Sequence, residues 1–93
     1  MDLIDVRIEH FKPLVGQDFK LGNSDLNFSL LEVQVQKTRE GAARTAFALL
    51  FACPVPAAQG TYALQHEALG QLEIFLVPIR QDGAGVHLEA IFS

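Results

Sequence analysis

The stretch LEIFLVPI, residues 72–79, decides how this chain is read. Seven of its eight residues are apolar or proline, and Glu73 is the exception. A strand in a sheet with one wet face alternates apolar and polar residues. Here Leu72, Ile74 and Leu76 share one face, while Phe75, Val77 and Ile79 share the other. Two dry faces predict a strand held between two layers, with its second face covered by another part of the chain or by another molecule. Pro78 lacks the N–H that a ladder needs, so this strand is expected at a sheet edge or bulged near its end.

Working outward, the same period of two recurs. QDFKL (17–21) suits a first short strand, and GNSD (22–25) is dense in turn formers. LNFSLLEVQVQK (26–37) is a longer strand whose parity slips at Leu30–Leu31. A β-bulge, or a passage from one layer to another, accounts for such a slip. TREGAAR (38–44) is a polar loop, and TAFALLFAC (45–53) places Phe47, Leu49, Phe51 and Cys53 on one face. Its other face holds Ala46, Ala48, Leu50 and Ala52, which predicts a close neighbour behind it. TYALQH (61–66) alternates, EALG (67–70) turns, and Asp82-Gly83 marks a hairpin before VHLEAIFS (86–93). Ahead of the strands, Leu3, Val6, Phe11 and Leu14 fall on rough helical spacing, with Asp5 as an N-cap and Pro13 and Gly16 ending the element. The expected fold is all-β with minor α: one domain over residues 1–93, an antiparallel barrel or sandwich of about six strands behind a short N-terminal helix.

The totals narrow the function classes. The chain has 93 residues, 49% hydrophobic and 19% charged, which is globular composition. A net charge of −4 argues against nucleic acid as the main partner, since phosphate binding needs a basic face. No apolar run approaches the ~20 residues of a membrane-spanning helix, and the acidic N-terminus MDLIDVRIEH is unlike a signal peptide. A single cysteine, Cys53, has no partner for an internal disulfide, which fits a reducing compartment. The expectation is a soluble cytoplasmic protein that binds neither nucleic acid nor membrane.

Catalytic patterns are weak. His66, His87 and Glu89 are metal-ligand types without metal-ligand spacing, so neither a metal site nor a cofactor is expected. Cys53 shares its face with Phe47, Leu49 and Phe51, where a thiol serves as a small hydrophobe. The glycines of QDGAG precede a strand, not the helix that a phosphate cradle requires. If a small-ligand barrel or small enzyme were built here, Tyr62, His66, His87 and Glu89 would be its polar set.

Three stretches carry a family resemblance: Phe11-Lys12-Pro13-Leu14-Val15-Gly16, Leu69-Gly70 through Ile79, and His87 to Ser93. Together they resemble a small bacterial family of unknown function, about this chain's length, with a PLVG-like start and an LGxLxLFLVPI…EAVFN-like ending. The chain departs from that pattern at Val86-His87-Leu88, where a tyrosine is expected before Glu89, and at Ser93 in place of asparagine. These motifs are hydrophobic and structural, so they imply a fold more than a chemistry. The resemblance also implies phage-tail-like gene neighbours and hence a structural or assembly role.

The expectation is therefore a non-enzymatic structural or protein-interaction module, an accessory of a phage-tail-like assembly. Its docking face would be Phe75, Val77 and Ile79, covered by a protein partner or by self-association. Residues 3–15 are the alternative cover for that face.

Overall fold

The computed structural model describes residues 5–22, 24–42, 44–83 and 85–92. Six strands follow a short helical segment: α1 (Ile8–Phe11), then β1 (Asp18–Leu21), β2 (Asn27–Val35), β3 (Phe47–Cys53), β4 (Gly60–His66), β5 (Gly70–Asp82) and β6 (Gly85–Phe92). All neighbours pair antiparallel in the order β1-β2-β3-β6-β5-β4, and β1 pairs with β4 to close a barrel. Closure removes both sheet edges. Of the two architectures open from sequence, the barrel is the one formed.

Local chemistry explains the path. The parity slip at Leu30–Leu31 is a bulge: the β2–β3 register shifts between Leu30 and Glu32. Pro78 also sits at a bulge, between Pro78 and Arg80 in the β5–β6 ladder, and not at an edge. His66 pairs with Gly70, whose φ of 73° is the left-handed residue that ends a three-residue hairpin loop. Asp82 pairs with Gly85, which makes the β5–β6 connection a tight hairpin as Asp82-Gly83 predicted.

The inward positions form one apolar core. Phe19, Phe28, Leu30, Phe47, Leu49, Phe51, Leu64, Ile74, Leu76 and Leu88 are all fully buried. Among the described residues, no polar or charged side chain is buried. Cys53 faces inward at 2% exposure, the small hydrophobe its strand pattern implied.

Four expectations need correction. The N-terminal helix is shorter than residues 3–15 suggested. It runs Ile8–Phe11 with Arg7, not Asp5, at its N-cap, and continues as a 3-10 turn over Lys12–Leu14. Leu3 lies outside the described residues. The segment also does not cover Phe75 and Val77. Val6, Ile8, Phe11 and Leu14 are buried in the barrel core instead. The Phe11 ring lies 5.8 Å from Phe47, 6.1 Å from Phe92 and 6.3 Å from Phe19, so it plugs the barrel end where β3 begins and β6 finishes. Finally, β5 is one stave of a single closed wall, not a strand between two layers. The small residues of β3 likewise have no second layer behind them. Ala48 is 3% exposed because its register neighbours Gln34 and Ile91 flank it with longer side chains.

Arg44 secures the plug. Its guanidinium donates to the Val6 carbonyl and lies over the Phe47 and Phe92 rings, at 6.0 and 5.7 Å from their centroids. A charge-assisted hydrogen bond and a cation–π contact act on the same residue. Arg44→Ala is expected to lower stability by about 1–2 kcal/mol. It should also speed amide exchange over Ile8–Phe11 more than in β3 or β6. Uniform exchange across these segments would contradict the tether.

Candidate interaction face

The second dry face of LEIFLVPI points into solvent. Phe75 is 52% exposed and Ile79 53%, while Val77 is half-buried. Ladder register extends this stripe sideways. Val77 pairs with Glu89 of β6, Glu89 with Leu50 of β3, and Leu50 with Glu32 of β2. One lateral row of the outer wall thus reads Val77, Glu89, Leu50, Glu32. Ile91, 60% exposed, lies two residues past Glu89 on the same outward phase. Ile79 is the extra residue of the β5 bulge and lines an 80 Å³ cleft with Leu50, Ala48, Glu32 and Glu89. Leu31, the extra residue of the β2 bulge, is 41% exposed. Both bulges therefore turn an apolar residue outward from a strand whose regular positions serve the core.

Scattered exposed aliphatics are ordinary on a protein surface. A cluster of them on adjoining strands is less ordinary, because an apolar patch in water favours whatever covers it. The sequence marked Phe75, Val77 and Ile79 and missed Ile91, Leu50 and Leu31. Ile91 shares parity with His87 and Glu89, so alternation alone exposes it. Its neighbourhood with β5 and β3 needed the strand order.

The alternative polar set does not come together. His87 and Glu89 face outward on β6, whereas Tyr62 and His66 lie on the inward phase of β4, and β5 runs between these two strands. Tyr62 packs its ring 5.3 Å from Phe28 and donates its hydroxyl to the Ala58 carbonyl. His66 lies at the plugged end. Its Nδ1 accepts from the Ala68 N–H at 3.0 Å, and its Nε2 is 2.7 Å from Gln17 Oε1. Both ring nitrogens are thus occupied, one within the β4–β5 turn and the other with the residue that precedes β1. His66 and Gln17 border one open groove of about 550 Å³, and His87 borders another of about 470 Å³ with Asp18, Asp25 and Asp82. Glu89 borders the small cleft beside Ile79. Among the described residues, no three His, Cys, Asp or Glu side chains converge as a metal site would need.

A family model described as a domain of unknown function (DUF6916) matches residues 6–92. No curated protein and no solved structure matches the chain. No helix among the described residues is long and apolar enough to cross a membrane.

Proposed function

The chain belongs to the DUF6916 family, and from that premise we propose that it is a non-enzymatic protein-interaction module that docks through the outer wall of β5, β6 and β3. The observation that carries this reading is the clustering of Phe75, Ile79 and Ile91, each at least half exposed, on one face of a closed barrel. Their exposure is not a by-product of a failed core, since the core is complete without them. Closure of the barrel also removes strand addition at an edge as a route to association, leaving side chains to make the contact. The bacterial, phage-tail-like setting comes from the resemblance of the PLVG and LEIFLVPI stretches. In such an assembly a small rigid barrel would serve as an accessory that presents one adhesive wall.

The triple variant Phe75→Ser, Ile79→Ser, Ile91→Ser tests this. Its core is untouched, so its melting temperature should stay within a few degrees of the parent's. In gentle extracts of the native cell, the parent chain should fractionate well above its own 10.2 kDa, and the variant should shift to the monomer position. A parent chain that runs as a free monomer, or a variant that stays in the large fraction, would sink the docking reading.

A further inference from the structure

The docking wall carries charge as well as hydrocarbon, and carboxylates outnumber cations on it. Glu89 sits between Val77 and Leu50 in the lateral row, and Glu32 closes that row on β2. Glu73 lies two residues before Phe75 on the same outward phase of β5. Glu32 and Glu73 are exposed, and Glu89 is half-buried. Glu32 accepts a hydrogen bond from Gln34 Nε2 at 2.8 Å, a neutral donor that leaves its charge in place. Arg80 stands on this wall too, in the next outward row, paired in register with His87 two residues before Glu89, so the wall carries three carboxylates against one guanidinium.

That pattern bears on what covers the patch. A second copy docking by a two-fold axis would present the same wall to itself. Val77, Glu89 and Leu50 lie at the centre of the patch, so such a dimer brings Glu89 towards its own copy with Glu73 and Glu32 around it. Desolvating like charges against one another is unfavourable, and partially buried carboxylates need a partner of opposite sign. An anionic lipid surface meets the same repulsion. A cationic surface with its own apolar side chains satisfies both parts of the wall: hydrocarbon covers Phe75, Val77 and Ile91, while ammonium or guanidinium groups reach the three carboxylates.

We infer that the wall is built for a different protein chain, one whose contact surface is apolar with lysine or arginine side chains set among the apolar ones. This step rests on the docking reading above and adds the identity of the occupant as a chemical class.

The test places a photoreactive benzoylphenylalanine at Phe75, in the full chain expressed in its native cell, with and without Glu73→Lys and Glu89→Lys. Both glutamates are on the outer wall, and circular dichroism of the purified chains checks that the fold is kept. The expected result is an adduct to a different chain, whose yield falls about tenfold on charge reversal. The purified parent chain should sediment as a monomer. An adduct of twice the chain's own mass overturns the inference while leaving the docking wall standing. So does an adduct to another chain whose yield is unchanged by charge reversal. Absence of any adduct at Phe75 overturns the docking wall itself, and the partner with it.

Discussion

Phe11→Ala is expected to lower the stability of the barrel by about 4 kcal/mol, because a fully buried phenylalanine is lost and the surrounding rings cannot close the gap. Phe11 is 0% exposed and touches aromatic rings from β1, β3 and β6 at once. The Phe47 and Phe92 rings behind it stack at 4.8 Å and are fixed by their own strands, so collapse onto the void is restricted. A domain of 93 residues holds a total stability of about 5–14 kcal/mol. The loss should depress the melting temperature by roughly 15–30 °C. Phe11→Leu, which keeps most of the volume, should cost about 1–2 kcal/mol and remain measurable if the alanine variant does not fold. Phe75→Ala gives the contrast: half-exposed on the outer wall, it should cost under about 1 kcal/mol. Urea unfolding of the three variants decides the matter. Equal losses at Phe11 and Phe75 would mean that the N-terminal segment is not the barrel's plug.

The second large effect is expected at Gly85. Its φ is +138°, and a Cβ built there would lie 2.1 Å from the Cys53 carbonyl oxygen and 3.0 Å from the Pro54 Cα. Both atoms belong to the backbone at the end of β3, which is held in register by β6 itself. Neither can move aside without opening the β3–β6 ladder. Gly85→Ala therefore combines backbone strain with a steric clash and should cost about 3 kcal/mol. Gly83, in the same turn, has nothing within 4 Å of a built Cβ and no positive φ. Gly83→Ala should change stability by no more than about 0.5 kcal/mol. A thermal melt of the pair separates the two positions, and similar losses at both would contradict the close crossing at Gly85.

Much of this architecture is legible in the sequence because strands speak through a period of two. The parity slip at Leu30–Leu31 and the donorless Pro78 each located a bulge within a residue. The glycines at 70 and 83 located both β5 turns. Other features depend on contacts between distant residues and leave little local trace. A four-residue helix has too few turns to show a period, so the destination of Phe11 could not be read from its spacing. Arg44 looked like one residue of a polar loop, yet it spans to Val6, Phe47 and Phe92. The requirement for glycine at 85 comes from Cys53 and Pro54 at the end of β3, more than thirty residues earlier in the chain.

The candidate interaction face is an intermediate case. Alternation on LEIFLVPI separates Phe75, Val77 and Ile79 from Leu72, Ile74 and Leu76 whatever the fold, and the structure leaves Phe75 and Ile79 half exposed. Alternation could not say whether the second face met another layer or solvent. That depends on barrel closure, which turns one face of every strand inward and leaves the other outside. Leu50, Ile91 and the acids Glu32 and Glu89 join the patch only through the strand order β2-β3-β6-β5.

Hydroxyl-radical footprinting tests most directly whether this outer wall is a docking surface. It reads side-chain exposure in the purified chain and again in the chain's native complex. Phe75, Ile79 and Ile91 should react readily in the free chain and become protected in the complex. Val55, exposed at 42% in the loop after β3, should react equally in both. Phe75 and Ile91 remaining as reactive in the complex as in the free chain would contradict the account.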